Sequence, residues 1–225
     1  MKPALQILAV LLVCILVVSD PTSGAAREDG RLTVAPDAHP WRSIGRLNVA
    51  GYRRKHHCTA TLISADVILT ARHCLKKPRG DGLVQPDRVH FLAGYSRGEH
   101  LEHHRGRKAK IIGFDMALVW LATRSKLEPV RIAPLGQANS ALFQAGYSAD
   151  KGHVLTVDPV CKVLGRGAPN MLKHNCEAIS GDSGAPIFVD AKDGLAIVAI
   201  HIGRNGRTGI GEFVPVEKVQ SLLQD

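Results

Sequence analysis

The stretch Ser180-Gly181-Asp182-Ser183-Gly184-Ala185-Pro186 sets a serine between two glycines and leads into the apolar run Ile187-Phe188-Val189. A serine hydroxyl is a weak nucleophile at neutral pH. It needs a nearby base, and it needs hydrogen-bond donors for the oxygen that gains charge during attack. Glycines permit a tight turn and let a substrate carbonyl approach the main chain. The stretch predicts a turn that aims the amides of Gly181 and Ser183 at one point, although a plain glycine-rich turn before a strand also fits it.

Two further stretches carry side chains that could activate this serine. Leu69-Thr70-Ala71-Arg72-His73-Cys74 lies upstream, and Gly113-Phe114-Asp115-Met116-Ala117-Leu118-Val119 lies between it and the serine. A histidine can take the serine proton, and a carboxylate can orient that histidine. Taken singly, His73 fits a surface histidine and Asp115 fits an acid in a turn. The occurrence of both with the serine stretch favours a catalytic triad.

The three stretches together resemble the motifs of the chymotrypsin/trypsin family. That family carries Thr-Ala-Ala-His-Cys, Asp-Ile-Ala-Leu and Gly-Asp-Ser-Gly-Gly-Pro in this order, which other folds with the same triad do not share. Arg72, Met116 and Ala185 are the departures from the pattern. The resemblance covers nearly the whole chain after the leader. It implies two six-stranded antiparallel β-barrels with the active site in the cleft between them.

The resemblance also implies a role for each residue of the site. His73 is expected to act as general base and acid, Asp115 to orient it, and Ser183 to attack the peptide carbonyl. The amides of Gly181 and Ser183 are expected to form the oxyanion hole. We therefore expect a secreted serine endopeptidase that works through an acyl-enzyme. A protease-like binding protein without turnover is the alternative from another class, and a structural secreted β protein is a third.

The first 26 residues have the features of a signal peptide. Lys2 precedes a continuous apolar run from Ala4 to Val18, which is short for a membrane span, and small residues follow at Ala25 and Ala26. We expect cleavage after one of these alanines, with an uncleaved anchor as the alternative. The mature protein is then secreted or periplasmic, without stable membrane insertion.

Four cysteines remain after such a leader is removed. An even number in an exported chain suggests disulfides, and three pairings are open. Sequence proximity and the family resemblance both favour Cys58–Cys74 and Cys161–Cys176. A zinc site is the competing interpretation, because His57 and His73 adjoin cysteines, but the chain has no paired CxxC spacing. We expect no metal and no other cofactor.

Short apolar and β-branched runs between loops predict an all-β protein in two units. The units are assigned to about 31–122 and 136–214, with a linker at about 123–135 and a short amphipathic C-terminal helix at about 215–225. The predicted strands are Trp41–Val49, His57–Ile63, Val67–Ala71, Arg88–Ala93, Lys108–Ile112, Met116–Leu121, Phe143–Tyr147, His153–Val157, Val160–Leu164, Ala185–Val189, Leu195–Ile202 and Gly209–Val214.

The substrate pocket gives two opposed signals. Glu177 stands six residues before Ser183, where trypsins carry the acid that selects Lys or Arg before the scissile bond. His201, followed by Gly203, matches the histidine by which glutamyl endopeptidases bind acidic side chains. Ala178 stands where those enzymes offer a hydroxyl. We expect basic specificity, with Glu or Asp as the alternative.

Asp182 raises a question of activation. In trypsins the acid beside the nucleophile pairs with a new amino terminus. Here Arg31-Leu32-Thr33-Val34 lacks the usual Ile-Val-Gly-Gly start. Segments such as Pro40–Gly45 instead resemble compact bacterial relatives of the glutamyl endopeptidase type. Asp182 could pair with a terminus released after Arg31 or with an arginine side chain.

The remaining charge and histidine patterns point to a solvated surface. The net charge is +9, but no nucleic-acid motif accompanies it and aromatic residues make up only 4%. We expect a peptide or protein substrate, no nucleic-acid partner and a monomer. The histidine-rich stretch Gly98–Arg105 and the basic stretch Tyr52–His57 are expected to be exposed. Metal binding is the alternative for the former, and contact with acidic substrate residues is the alternative for the latter.

Overall fold

The computed structural model describes residues 29–49, 57–77, 80–137 and 141–223. The predicted signal peptide and residues 52–56 of the basic stretch lie outside these ranges. The described chain is all-β, as predicted, and its helical segments are 3-10 turns of three or four residues. Its strands are β1 Leu32–Val34, β2 Ile44–Val49, β3 His57–Ser64, β4 Val67–Ala71, β5 Val89–Ala93, β6 Glu102–Ile112, β7 Met116–Leu121, β8 Leu142–Gly146, β9 Leu155–Cys161, β10 Val163–Arg166, β11 Leu172–His174, β12 Pro186–Ala191, β13 Gly194–Arg204 and β14 Gly211–Pro215.

The first unit is a closed antiparallel barrel of six strands in the order β2-β3-β4-β7-β6-β5. The five residues of β4 are all buried, whereas part of β6 alternates between buried and exposed residues, as a strand with one face in water does. The barrel interior is filled by large apolar side chains, and Gly45 makes room for one of them. A Cβ at Gly45 would lie 2.3 Å from the ring of Phe91. The barrel places the end of β4 and the start of β7 side by side, because Ala71 pairs with Met116.

The second unit is one curled antiparallel sheet of eight strands in the order β1-β9-β8-β12-β13-β14-β11-β10. The predicted fold class is confirmed, but this unit has more strands than the six expected. The additional strand at one edge, β1, pairs Leu32 with Val157 and so belongs to this sheet rather than to the first barrel. Strands of three residues, such as β1 and β11, are too short to show a period-two pattern in the sequence.

The last described residues bury apolar side chains on one side, as the sequence pattern indicated. The amphipathic helix predicted at about 215–225, however, is only a 3-10 turn. Val216 and Val219 are fully buried. The amide of Val219 bonds the carbonyl of Val216, and the amide of Leu222 bonds that of Val219, both with i→i−3 spacing. The 3-10 segment spans Gln220–Leu223. Three-residue periodicity keeps the same positions on one side, so the pattern alone could not distinguish the two helix types.

The linker between the units forms hydrogen bonds with both. The amide of Val130 donates to Leu62 in β3, while Arg131 and Ala133 exchange backbone bonds with Ile197 in β13. These contacts fix the first barrel against the second sheet. Among the described residues, no helix has both the length and the apolar character that crossing a membrane requires.

Candidate active site

His73 and Asp115 come together at the rim of the barrel where β4 ends and β7 begins. His73 lies in the 3-10 turn Arg72–Leu75 directly after β4, and Asp115 ends the turn that leads into β7. The ring Nδ1 of His73 lies 2.7 Å from Asp115 Oδ2, and the backbone amide of His73 donates to Oδ1 at 2.9 Å. The amide of Arg72 donates to the Asp115 carbonyl, which adds a third link.

The Asp115 contact fixes which nitrogen of His73 carries the proton. An ionised carboxylate only accepts hydrogen bonds, so Nδ1 must be the donor. The neutral ring then has an unprotonated Nε2, which can accept a proton. About a third of the His73 side chain is exposed, whereas Asp115 is 15% exposed. The arrangement provides a base that faces solvent and an orienting acid behind it.

Ser183 lies in a turn just before β12, and this turn is pinned to the first barrel. Thr59 in β3 donates its amide to the Ser183 carbonyl at 2.9 Å. The next residue, Gly184, has φ +81°, and a Cβ there would lie 2.3 Å from the Thr59 carbonyl and 2.4 Å from Thr70 Oγ1. Only glycine fits this close approach of the two units. The serine loop therefore sits against the strands that lead to His73.

Gly181 gives the same turn its second tight contact. Its φ is +98°, and a Cβ would lie 2.3 Å from the carbonyl of Tyr147. Thr59 Oγ1 donates to the Gly181 carbonyl at 3.0 Å. Within the described part of the chain, the amide N–H groups of Gly181 and Ser183 donate to no protein acceptor. Two neighbouring amides are thus available to an oxygen of a ligand.

The structure joins His73 to Asp115 directly and brings the Ser183 loop onto the same strands. In the described residues Ser183 Oγ makes no hydrogen bond to His73. Such a bond is often long or misaligned before a substrate binds. The chemistry that this arrangement supports is attack by a hydroxyl on a carbonyl, with proton transfer through an oriented imidazole.

Two disulfides clamp the surroundings of the site. Cys58 is bonded to Cys74, which ties β3 to the turn that carries His73. Cys161 is bonded to Cys176, which ties the end of β9 to the approach to the serine loop. The sulfurs of Cys58 and Cys74 lie within 4.8 Å of a His73 ring nitrogen. Because they are joined to each other, they offer no thiolate to a metal ion.

Asp182 makes no ion pair with an arginine side chain of the described residues, which was one of the two partners that the sequence left open. Its carboxylate is 1% exposed and accepts hydrogen bonds from Ser148 Oγ at 2.7 Å and from the Ile179 amide at 2.9 Å. Among the described residues no cationic side chain lies within ion-pair distance of it. Burial raises the pKa of Asp182 to about 6, and the hydrogen bonds from Ile179 and Ser148 oppose that rise. Sequence reasoning missed Ser148 because it lies in another loop, with no local signal.

His201 is part of a buried histidine pair that the sequence did not reveal. Its Nδ1 lies 2.9 Å from Nε2 of His174, and Nδ1 of His174 accepts from the Cys176 amide at 3.0 Å. Burial lowers the pKa of His174 to about 4 and lowers the pKa of His201 well below its usual value, so both rings are neutral at pH 7. His174 is fully buried and His201 is 2% exposed.

The contacts of the pair determine how each ring is protonated. The Cys176 amide donates to Nδ1 of His174, so the proton of that ring is on Nε2. That proton is donated to Nδ1 of His201, which leaves the proton of His201 on its own Nε2. No described residue accepts a hydrogen bond from this Nε2. The pair therefore presents a neutral N–H donor.

The carboxylate of Glu177 forms an ion pair with an arginine side chain. Its Oε1 lies 3.2 Å from Nη1 of Arg204, and the same Nη1 donates to the Ala178 carbonyl. The Glu177 amide donates to the buried Asp158. Gly203, on the bulged part of β13, has no atom within 4 Å of the position that a Cβ would take, so open space adjoins it. The pairing with Arg204 could not be seen in the sequence, since the two residues lie on different elements.

Comparison with known proteins identifies the family of this chain. A family model described as a trypsin-like peptidase domain matches residues 58–200. Trypsin epsilon of Drosophila erecta is 26% identical over 217 residues, covering 81% of this chain and 82% of that protein. Chymotrypsin-C of Mus musculus is 24% identical over 229 residues, covering 85% of this chain and 84% of that protein. These matches confirm the resemblance predicted from the three motifs.

Solved structures share the fold. The structure of a Glu endopeptidase in complex with MPD has a TM-score of 0.73 at 19% identity and covers 88% of this chain and 99% of that one. The protease Anisep from Arthrobacter nicotinovorans has a TM-score of 0.66 at 15% identity and covers 85% of this chain and 96% of that one. At these identities the likeness concerns the arrangement of strands.

Proposed function

The chain belongs to the trypsin-like peptidase family and is a serine endopeptidase, and we propose that His73, Asp115 and Ser183 are its catalytic triad. The observation that carries this proposal is the 2.7 Å contact between His73 Nδ1 and Asp115 Oδ2, at the rim to which Thr59 pins the Ser183 loop. It supports a ring whose free Nε2 is the base. A chain that bound proteins without turnover would not need an oriented base beside the serine.

The proposed reaction runs in two halves. Ser183 Oγ attacks the peptide carbonyl carbon while Nε2 of His73 takes the hydroxyl proton, and the carbonyl oxygen becomes an oxyanion. The amides of Gly181 and Ser183 stabilise that charge, since they donate to no acceptor among the described residues. The imidazolium, stabilised by Asp115, gives its proton to the leaving amine, and an acyl-enzyme remains. In the second half, a water molecule gives a proton to Nε2 of His73 and attacks the acyl carbonyl carbon. The bond to Ser183 Oγ then breaks, Ser183 takes the proton from His73, and the carboxylic acid product is released.

We propose specificity for Glu or Asp before the scissile bond, in preference to the Lys or Arg expected from Glu177. The carboxylate of Glu177 is already paired with Arg204, so it is a weak candidate for binding a substrate cation. His201 supports the acidic alternative, because its Nε2–H donates to no acceptor in the described part of the chain. A substrate carboxylate accepts hydrogen bonds, whereas an ammonium or guanidinium group only donates them.

Export also belongs to the proposal. Two disulfides are typical of proteins that mature outside the reducing cytosol. We propose that the chain is secreted or periplasmic after removal of a signal peptide near Ala25 or Ala26.

A fluorophosphonate probe tests the nucleophile. The mature protein should be labelled at Ser183, and Ser183→Ala should not be labelled while its thermal unfolding stays unchanged. Ser180→Ala, in the same turn, is the matched control and should keep its label. A folded parent protein that takes no label would contradict the triad and favour the binding-protein alternative.

A peptide series that differs only in the residue before the scissile bond tests the specificity. We expect Glu to be cleaved faster than Gln, and Gln faster than Lys. Glu177→Gln should preserve that order if the Glu177 carboxylate only forms the ion pair with Arg204 and does not bind substrate. Faster cleavage after Lys, abolished by Glu177→Gln, would restore the basic specificity.

A further inference from the structure

The side of the site where the product amine leaves contains two adjoining cavities. Because His73 protonates the leaving amine, the departing segment must pass this residue. A cavity of about 160 Å³ lies there, and its lining includes Leu47, Val49 and the Cys58–Cys74 disulfide. It is lined by His73, His57 and Lys76 among others. His57 also lines a second cavity of about 380 Å³, so the two adjoin at this ring.

His57 connects the second cavity to the proposed oxyanion hole. Its Nε2 lies 2.6 Å from the Tyr147 carbonyl, and a Cβ at Gly181 would lie 3.0 Å from the same nitrogen. Beside it, the amide of Ala149, which also lines the cavity, donates to the Ser180 carbonyl. The wall of the larger cavity is therefore in contact with the turn that holds the nucleophile.

Arg46 is the cation of this cavity whose charge has no counterion. Its Nη1 donates to the Gly152 carbonyl at 3.2 Å and to the Tyr95 hydroxyl at 3.3 Å, and its guanidinium lies over the Tyr95 ring. Its Nε is buried without a hydrogen-bond partner. Within the described residues no carboxylate forms an ion pair with Arg46. Arg46 lines the cavity, and its Nη2 makes no hydrogen bond to a described residue. A guanidinium with such an unused donor is suited to a carboxylate.

The neighbouring charges are already neutralised. Asp150 lines the cavity, but its carboxylate is bonded by Arg31, which also binds Asp29. Lys151 is paired with Asp29 at 2.8 Å. Among the described residues, three cations and two acids lie around this cavity, and Arg46 is the cation without an acidic partner.

We propose that the cavity beside Arg46 binds the carboxylate of an acidic residue on the leaving-group side of the substrate. The inference rests on the proposed function, because a leaving-group side exists only if His73 and Ser183 perform the cleavage. The larger cavity can hold a glutamate side chain, and a peptide that passes His73 and the disulfide reaches it at His57. Arg46 is then a specificity-determining residue that binds substrate without touching the reacting atoms.

A glutamate scan tests the proposal. In a series of peptides with a fixed residue before the scissile bond, a single glutamate is moved through the first four leaving-group positions, and each peptide is compared with its glutamine twin. At one position we expect kcat/KM to be about tenfold higher for glutamate than for glutamine. The preference should fall to about one in Arg46→Gln and be partly retained in Arg46→Lys. Arg131→Gln, which removes an exposed arginine on the linker, is the matched control and should keep the preference.

The ratio within each peptide pair separates recognition from structural damage. If Arg46→Gln merely disturbs the Gly152 loop, both twins slow equally and the preference stays, which overturns the proposal. Equal cleavage of the twins at all four positions by the parent protein also overturns it and leaves the proposed protease function intact. If a folded parent protein cleaves no peptide, the proposed function fails, and this inference fails with it.

Discussion

At the scale of single residues, Asp115 performs two tasks with its two oxygens. Oδ1 accepts the His73 backbone amide and Oδ2 faces the ring nitrogen, so one carboxylate fixes both the turn and the tautomer. Glu102 makes a comparable contact elsewhere in the same barrel, at 2.8 Å from Nε2 of His104. The two pairs differ in the contact made by the second ring nitrogen of each histidine. His104 Nδ1 contacts Thr123, whereas His73 Nε2 makes no hydrogen bond to a described residue.

Asp115→Asn should reduce kcat roughly 10⁴-fold while the protein stays folded. An asparagine amide can donate to Nδ1, which would hold the proton on Nε2 and remove the base. Steady-state kinetics with thermal unfolding in parallel measure this. Glu102→Gln is the control and should leave kcat unchanged even if the unfolding temperature falls. Equal kinetic losses in both variants would show that Asp115 acts through folding alone.

Asp182 should make the protein less stable as the pH rises between about 4 and 6. Its folded pKa, about 6, lies above the unfolded value of 3.8, so the folded state holds the proton longer. The unfavourable contribution is absent below pH 4 and reaches about 3 kcal/mol above pH 6. Asp182→Asn should therefore raise the free energy of unfolding at pH 8 more than at pH 4, as measured by urea denaturation.

The exposed Asp190, which follows in β12, provides a control for this pH dependence. Asp190→Asn should have the same small effect at both pH values. A stability gain for Asp182→Asn that is identical at pH 4 and pH 8 would contradict the assignment of the raised pKa to that carboxyl.

At the scale of elements, the two disulfides close loops of similar length but hold different parts of the site. Cys58–Cys74 has a sequence separation of 16 and ties β3 to the turn that carries His73 after β4, whereas Cys161–Cys176 has a separation of 15 and ends beside Glu177. Replacing either pair by alanine should cost about 3 kcal/mol, as loops of this length predict. Loss of the first should mainly lower kcat, and loss of the second should mainly raise KM.

Urea denaturation and steady-state kinetics of the two double variants, measured below their unfolding temperatures, distinguish these effects. The assignment of one disulfide to the base and the other to the pocket would be wrong if both variants changed kcat and KM alike.

Sequence motifs predicted the family and the fold, which the comparisons confirm, because each motif is a short pattern with a fixed chain order. They did not suffice for contacts between distant segments. Ser148 bonds Asp182 from another loop, and Arg204 neutralises Glu177 from β13. Neither partner has a local pattern that marks it. The C-terminal segment differs for another reason, since 3-10 and α turns place much the same apolar residues on one side.

At the scale of the whole molecule, Thr59 joins the first barrel to the loop of Ser183, the proposed nucleophile. Its amide bonds Ser183, its hydroxyl donates to Gly181, and the same hydroxyl accepts from the Tyr147 amide. Thr59→Val removes the last two bonds and leaves buried polar groups unpaired. It should lower the free energy of unfolding by about 2–3 kcal/mol and reduce kcat.

Thr61 provides the matched control in the same strand. It is fully buried, and its hydroxyl has no hydrogen-bond partner in the described structure. Thr61→Val should be neutral or stabilising in urea denaturation and should leave kcat unchanged. If the two valine variants were equally stable, the Thr59 hydroxyl would have no role in joining the units.

The placement of β1 has a consequence for how the chain can be divided. The strand comes first along the chain but completes the sheet of the second unit, where Leu32 lies opposite Val157. Its edge position can be filled only after β9 has left the ribosome. A chain cleaved in the linker would consist of two fragments that stay associated, because β1 of the first fragment remains paired with β9 of the second. Such fragments should elute together and separate only in denaturant.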